Sequence, residues 1–472
     1  MFKTIVGKEI RDLIGSTKFA ITFGACAVLI IVAFYAGAAR YNLHRSQYEA
    51  SVSQNLRQLE SNTDWNAVGE AKVFLPPQAL ASLVSGVSND IGRTAVVRGR
   101  GEPVTQDSRY NEDPIYAVFR FLDLEFIFKV ILSLFAILLG YDAISGEKER
   151  GTLRLSFANA VPRATYILGK MVGSVIVLGV TLAIATAVGV LLLPLMGVPL
   201  TGSDWARLGL ILITGYLYFG VFLTMSVCVS AMTHRSSNSF LVLLVVWIIS
   251  VLIIPKVSVL MAARTVDVPS VDEIASQKAT YGLQLREEYL DGLANMSISM
   301  SEQDTDPIQK LNAYMDSLHG VRDSKMMELS GRLNEDRRNR QQTQSSLALA
   351  LARLSPTASL SLAISNLAGT SVSLKDQFYR ESLAYSSVFG DFKKEKTGFN
   401  SGAAVRIITH DSDAEPEEPE RIDPREMPAF EYTPSELAAA VDASAVDIGL
   451  LAVFNLVFFA GAFVAFARYD VR

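Results

Sequence analysis

Six long, mainly apolar stretches constrain this chain of 472 residues more than any other feature of its sequence. A helix needs about 20 consecutive apolar residues to cross the roughly 30 Å hydrocarbon core of a bilayer. Six segments reach that length: residues 19–39, 118–141, 166–193, 207–231, 239–262 and 447–467. Backbone groups inside a bilayer must be satisfied within the protein, which for such segments means helices. The sequence therefore predicts an all-α polytopic membrane protein with six transmembrane helices.

The composition excludes several other classes of protein. Half of the residues are apolar, 19% are charged and the mean hydropathy is +0.28, which disfavours a soluble enzyme, a disordered chain or a fibrous protein. The net charge of −5 gives no indication of nucleic-acid binding. Both cysteines, Cys26 and Cys228, lie in apolar stretches, so no disulfide framework or CxxC metal site is available.

The distribution of Lys and Arg predicts the orientation. Six crossings place both termini on one side, together with residues 142–165 and 232–238. The segments on that side contain Lys3, Lys8, Arg11, Lys18, Lys148, Arg150, Arg154, Arg163, Arg235, Arg468 and Arg472, whereas the short opposite loop 194–206 contains none. Because Lys and Arg favour the cytoplasmic side, we expect both termini in the cytoplasm of a bacterial inner membrane. Long segments translocate largely regardless of charge, so residues 40–117 and 263–446 are exempt from this rule.

The first eighteen residues predict a separate amphipathic helix. Apolar side chains recur there at helical spacing between charged ones, which is typical of a helix lying in the cytoplasmic interface: Phe2, Ile5, Val6, Ile10, Leu13 and Ile14. A cleaved signal peptide is the competing interpretation, since Ala36-Gly37-Ala38 imitates a cleavage site. The acids Glu9 and Asp12 and the length of the apolar stretch favour the uncleaved helix.

The two long segments, 40–117 and 263–446, predict a large, mainly helical extracytoplasmic domain with minor β structure. Residues 41–60 continue the first membrane helix, and residues 86–101 have weak strand character. Residues 271–295 and 307–352 contain few helix breakers and predict two helices. The strongly polar stretch 334–342 is typical of the exposed part of a helical hairpin.

The motifs of common enzyme chemistries are missing from the sequence. There is no GxxxxGK[ST] phosphate-binding loop, no HExxH pair and no GxSxG elbow. We therefore predict no catalytic site, no metal site and no directly bound cofactor, so the chain is not expected to be an enzyme.

The connection between the second and third spans, residues 142–165, is the most distinctive stretch. It follows Gly140, passes through Glu147, Lys148, Glu149 and Arg150, and turns again at glycine. A short charged helix held between two membrane helices is a suitable lever for a cytoplasmic partner. The alternative is a solvated loop whose arginines merely follow the positive-inside bias, and the charge count does not decide between the two.

The run from Asp142 to Thr152, followed by Pro162-Arg163 and Leu168-Gly169-Lys170, resembles the coupling segment of ABC-2 type ABC transporter permeases. The branch that it resembles most contains the permeases of nitrous-oxide-reductase maturation and of gliding motility. Further similarities lie in the long segments: Pro76-Pro77, Leu354-Ser355-Pro356, Leu367-Ala368-Gly369-Thr370 and Phe378.

This resemblance implies a permease subunit that moves an unidentified substrate, with ATP and Mg²⁺ bound by a separate cytoplasmic ABC ATPase. It implies a second permease copy, as a homodimer or a homologous heterodimer, in contact with membrane lipid. A partner protein for the extracytoplasmic domain is left open. Matched residue by residue, the coupling positions are Ser145, Gly146, Glu147, Lys148, Glu149, Arg150, Gly151 and Thr152, with His234 and Arg235 in a second, smaller contact.

Charges in the outer half of the second span form a second candidate group: Arg120, Asp123, Glu125 and Lys129. Ionisable groups at membrane depth are expensive unless they are paired or hydrated. Glu125 and Lys129 are four residues apart and are expected to pair on one helix face. An anchor for the extracytoplasmic domain is the favoured interpretation, and a substrate exit pathway is the alternative.

Two other functions compete with transport driven by an ATPase. A membrane receptor or scaffold would bind a partner through its extracytoplasmic helices and signal through residues 142–165. An ion-coupled carrier would require carboxylates near the middle of several spans; the first, third, fourth and fifth spans have none, and the acid of the sixth, Asp447, is expected at its end.

Overall fold

A computed structural model describes residues 1–88, 91–99, 103–106, 123–153, 157, 162–294, 307–397 and 421–468, without the side chains of residues 106, 307–313 and 316. Within these ranges, six helices are long and apolar enough to cross a membrane, which confirms the predicted architecture. Each predicted span lies within one of them, except that residues 118–122 of the second span fall outside the described ranges.

The helices are numbered here in chain order. The first two are α1 (Phe2–Ile14) and α2 (Thr17–Glu60). Helix α3 combines Leu124–Phe126, a π-helical turn over Ile127–Leu132 and Ser133–Gly140, and α4 is Ser145–Arg150. Next come α5 (Arg163–Leu195), α6 (Gly202–Met232) and α7, which joins Ser236–Ile248, a π-helical turn over Ile249–Ile253 and Ile254–Thr265. The remainder are α8 (Val271–Ala294), α9 (Pro307–Ala352), α10 (Pro356–Ala368), α11 (Ser373–Thr397) and α12 (Leu437–Ala467).

Local sequence explains where the membrane helices begin. The Ser16 hydroxyl accepts a hydrogen bond from the Phe19 amide (3.1 Å) and starts α2. Thr201 and Asp204 form a capping box at the start of α6, in which each side chain bonds the other's backbone amide. Pro162 precedes α5, where its missing N–H leaves no helical hydrogen bond unmade.

Contacts between helix ends place both termini on one side of the bundle, which we call the terminal side. Lys18, at the start of α2, bonds Asp142 just after α3 (2.9 Å). Arg163, at the start of α5, donates to the carbonyl of Ala467 at the end of α12 (2.5 Å). These contacts fit the predicted alternation of six spans.

Beyond the other side of the bundle, α2 continues to Glu60 as the sequence predicts, and a three-stranded antiparallel sheet follows. Its order is β1 (Ala71–Phe74), β2 (Thr94–Val97) and β3 (Val104–Gln106), with Ala71 opposite Val97 and Ala95 opposite Thr105. Strand β2 lies in the stretch with predicted strand character, whereas β1 was not predicted. Helix α11 covers the sheet, and its Phe378 and Phe389 share a buried core with Trp65.

Helices α8 and α9 form the predicted hairpin, and they match the expected ranges 271–295 and 307–352 closely. Residues 334–342 are mostly exposed, as expected for its polar part. Toward its end α9 returns along α7, where the Gln344 side chain donates to the Val266 carbonyl (2.9 Å).

Helix α10 requires a correction to the assignment of all of 263–446 to the extracytoplasmic domain. It lies among the membrane helices: the hydroxyl of Thr357 is 3.0 Å from that of Tyr218, near the middle of the 31-residue α6. The Ser355 hydroxyl donates to the backbone carbonyl of Ser250, near the middle of α7. The two similarity motifs at 354–356 and 367–370 are its ends, because Ser355 caps its start and Gly369 (φ 69°) ends it. Residues 352–370 thus enter the bundle and leave it on the same side.

Asp447 lies inside α12, which begins ten residues before it at Leu437. It is fully buried and accepts two hydrogen bonds from Arg353, at 2.7 and 3.0 Å. The arginine follows α9 and is supplied by the hairpin, so the pair fixes residues 352–370 to the bundle.

Candidate functional site

The connection after α3 is a short helix with fixed ends. After a turn over residues 141–144, α4 begins with the backbone amides of Ile144 and Ser145, which both donate to the Ser230 hydroxyl of α6 (3.0 and 2.9 Å). It ends at Gly151, whose φ of 72° is readily adopted only by glycine. The segment is therefore the short charged helix that the sequence predicts, attached at its start to the fourth span.

Glu147 is turned inward and joins α4 to the third span. Its carboxylate accepts hydrogen bonds from the Lys170 ammonium (2.9 Å) and from the Tyr166 hydroxyl, both on α5. Lys170 also donates to Glu9 of α1 (3.1 Å), so one buried cation lies between two carboxylates. A buried charge is tolerated when it is paired and hydrogen-bonded, as here.

Helix α1 packs on α5 through two glycines spaced one turn apart. A Cβ atom at Gly169 would lie 2.8 Å from Ile5, and one at Gly173 would lie 2.8 Å from Glu9. Small residues at this spacing let two helices approach closely. The amphipathic helix therefore rests on the terminal-side half of α5 and brings Glu9 to Lys170.

The other side of α4 is tied to the turn between α6 and α7. The Lys148 ammonium donates to the carbonyls of Thr233 (3.0 Å) and Ala231. The Glu149 carboxylate accepts from the Ser236 hydroxyl (2.9 Å) and from its backbone amide (3.3 Å). Helix α4 is thus bonded to α1, α5, α6 and the start of α7, a placement that a solvated loop would not show.

The predicted coupling residues divide into three groups by exposure, with Lys148 and Gly151 half-buried between the other two. Ser145, Gly146 and Glu147 are buried, so they hold the helix and cannot contact a docked protein in this conformation. Of the two acids at the coupling positions, only Glu149 lies on the surface. The exposed group forms a continuous charged rim: Glu149, Arg150, Thr152, His234 and Arg235. We call these five residues the rim.

Sequence reasoning missed the partners that hold α4, namely Glu9, Tyr166, Lys170 and Ser230. One signal was present, since Lys170 is the only charged residue within the third predicted span and such residues seldom lack a partner. Its two carboxylates lie 23 and 161 residues away in sequence, and no local pattern connects them.

The charges of the second span contact protein groups from several elements. Asp123 caps α3 by accepting from the Phe126 amide (2.8 Å) and also accepts from the Ser85 amide of the first long segment (3.4 Å). Glu125 accepts from the Ser361 hydroxyl of α10 (2.6 Å) and lies 4.0 Å from Lys129, the pair expected from their spacing. Arg120 lies outside the described residues. These contacts connect the second span to the first long segment and to α10.

Six apolar helices define a multi-pass α-helical membrane protein. On its terminal side, the connection after α3 and the turn between α6 and α7 together form the exposed rim. Residues 3–471 match the family model of the ABC-2 family transporter protein. Because this match covers nearly the whole chain, the protein belongs to the ABC-2 transporter family.

One relative is a probable ABC transporter permease protein, NosY, of Stutzerimonas stutzeri. It is 34% identical over 125 residues, which are 26% of this chain and 45% of the relative. The chain thus spans less than half of the length of that relative, and the similarity is to part of a permease.

Proposed function

We propose that this protein is the permease subunit of an ABC transporter and that a separate cytoplasmic ATPase docks on the rim. One observation supports this most: α4 is bonded on both sides to the membrane helices while its outer face carries exposed charges. A surface loop that only follows the inside-positive bias would have no reason to bury Glu147 against Lys170.

The contacts of α4 suggest how movement would be transmitted. A protein that grips Glu149, Arg150 and Arg235 pulls on a helix whose other face is bonded to α5 through Glu147 and to α6 through Ser230. The inner ends of these spans would then move together with the docked ATPase. Nucleotide binding would shift the equilibrium between two arrangements of the spans by as much as the ATPase contacts differ between them.

This proposal includes the orientation. The terminal side faces the cytoplasm, in agreement with the positive-inside rule. It also includes a second permease copy, since two ATPase subunits that close on each other need two rims. The substrate and its direction of movement are left out of the proposal.

Co-purification of the tagged, full-length protein from its native membrane tests the proposal. Reversing charges on the rim with Arg150→Glu and Arg235→Glu should release a nucleotide-hydrolysing subunit that the unaltered chain retains. Arg338→Glu is the matched control, because this exposed arginine lies on α9, far from the rim. Recovery of the ATPase with both rim variants, or of a kinase or other signalling protein instead of an ATPase, would contradict the proposal and favour a receptor or scaffold.

A further inference from the structure

A polar cavity of about 290 Å³ lies on the side opposite the termini, where the extracytoplasmic segments meet the bundle. Its walls come from α6, from the loop between α10 and α11, from the start of α11 and from the first turns of α12. The volume is at the lower end of the range for small-molecule sites, about 300–1,000 Å³.

The wall of this cavity carries positive charge without an acid. Arg207 and Arg380 both line it, together with the amides of Asn366 and Gln377, and none of its lining residues is Asp or Glu. Arg380 is exposed at the edge, whereas Arg207 is only 6% exposed. The Gln377 amide already donates to the Glu381 carboxylate next to the wall and to the Thr433 carbonyl, and the Asn366 amide donates to the Ala443 carbonyl. The two arginines are therefore the charged donors that favour an anionic ligand.

The hydrogen bonds of Arg207 are incomplete. Its guanidinium donates to the carbonyl of Leu367 at the end of α10 (3.3 Å) and to the carbonyl of Ser435 before α12. Its Nε is buried and has no hydrogen-bond partner in the described part of the chain. The two hydrogen bonds that hold these backbone segments together therefore use only part of the donor capacity of the buried guanidinium. A buried donor without a hydrogen-bond partner lowers the stability by about 1–3 kcal/mol, and a buried charge without a counter-charge lowers it by more.

We propose that this cavity binds a phosphate-bearing group, with Arg207 as the deep anchor and Arg380 at the opening. A phosphate oxygen would accept from guanidinium N–H groups of Arg207 that Leu367 and Ser435 leave unused, and would supply the counter-charge that this buried arginine lacks among the residues lining the cavity. The start of α11, with Ser373 at the cavity, contributes the partial positive charge of a helix N-terminus. Tyr432 adds a neutral donor, since burial, and to a lesser extent the charge of Glu381, raises its pKa to about 12.

The same phosphate chemistry has two sources, a lipid headgroup or a soluble phosphate compound. The cavity borders the first turns of a membrane helix, where the residues Ala439, Ala440 and Ala443 are small and allow a headgroup to approach. The site is independent of the proposed transport function, because neither arginine belongs to the rim or to the contacts that hold α4.

The test measures binding to the full-length protein in detergent by native mass spectrometry and by thermal unfolding. The probes are phosphatidylglycerol, diacylglycerol with the same acyl chains, glycerol phosphate and inorganic phosphate. We expect phosphatidylglycerol to bind and stabilise while diacylglycerol does not; stabilisation by glycerol phosphate or inorganic phosphate instead would support the same site with a soluble ligand. Failure of all three phosphate-bearing probes, or equal stabilisation by diacylglycerol, would overturn the proposal.

Three variants connect the binding to the cavity. Arg207→Gln should abolish the stabilisation, and Arg380→Gln should weaken the affinity about tenfold, as expected for loss of one charged hydrogen bond. Arg264→Gln, an exposed arginine at the end of α7, is the matched control and should bind as the unaltered chain does. If Arg207→Gln does not fold, the binding measured for Arg380→Gln, a variant of an exposed residue, tests the proposal. Unchanged binding by Arg380→Gln would then overturn the assignment.

Discussion

Replacing Lys170 by methionine removes the buried cation between two buried carboxylates, leaves only the exposed Lys8 at 4.0 Å from Glu147, and should loosen α4. The Lys170 side chain is 8% exposed, and those of Glu9 and Glu147 are 12% and 10% exposed, so solvent screens these pairs weakly. Removing one partner of a buried pair destabilises by roughly 3–5 kcal/mol. Here Glu147 keeps Tyr166 and the exposed Lys8, and Glu9 keeps Ser174, so the loss should lie toward the lower end of that range. At about 1.4 kcal/mol per factor of ten, the equilibrium constant for opening of α4 should increase by a factor between about one hundred and several thousand.

Hydrogen exchange of the backbone amides in α4 (Ser145–Arg150) measures that equilibrium directly. Lys18→Met is the matched control, since the Lys18–Asp142 pair joins side chains that are 53% and 33% exposed. A surface pair contributes at most about 1 kcal/mol, so exchange in the control should accelerate less than tenfold.

A double variant separates the ion pair from general damage. Glu147→Gln combined with Lys170→Met removes one of the two uncompensated carboxylates, so the loss should be smaller than the sum of the single losses by at least about 1 kcal/mol. Unchanged exchange in Lys170→Met, or strict additivity in the double variant, would refute the inference that this buried network holds α4.

Three further perturbations test other parts of the structure. Gly37→Ala should destabilise the protein in thermal unfolding, because its Cβ would lie 2.0 Å from a facing backbone oxygen, whereas Gly179→Ala has open space and should be neutral. Asp447→Asn alone should destabilise by about 3–5 kcal/mol in denaturant unfolding, and adding Arg353→Gln should restore part of that loss; a larger loss in the double variant would contradict a paired anchor. Burial raises the pKa of Tyr385 from its ordinary value of 10.0 to about 12, so its contribution to stability is complete below pH 10 and is lost as the pH rises toward 12. Tyr385→Phe should reduce the fall of the melting temperature between pH 9 and 11, and an identical fall in the variant would count against this burial.

The spans could be predicted because their signal is local. An apolar stretch long enough to cross a bilayer predicts a membrane-spanning helix, and the six long apolar helices confirm this prediction. The charged helix α4 was only one of two interpretations, because its charge pattern also fits a solvated loop; Gly151 marks where the helix ends.

The position of helix α10 among the membrane helices could not be predicted from the sequence, because its 13 residues are too few to span a membrane and several of them are Ser or Thr. Two of its hydroxyls have partners far away in sequence, Tyr218 for Thr357 and Glu125 for Ser361. The same limit applies to the burial of Glu147, which the alternating charges do not indicate: the tertiary partner Lys170 turns this carboxylate inward. Pairings over such sequence distances leave no periodic signal.

The central claim is that α4 and the inner ends of its neighbouring spans move as one body under a separate ATPase. A disulfide between Gly146→Cys and Ser236→Cys tests it in a chain whose Cys26 and Cys228 are replaced by alanine. A Cβ at position 146 lies 3.6 Å from the Ser236 hydroxyl, which suits a disulfide, and neither position belongs to the rim. We predict that the oxidised complex hydrolyses ATP at the rate of the reduced complex. Loss of hydrolysis on oxidation and its recovery on reduction would show that α4 must move against α7, and would contradict the account.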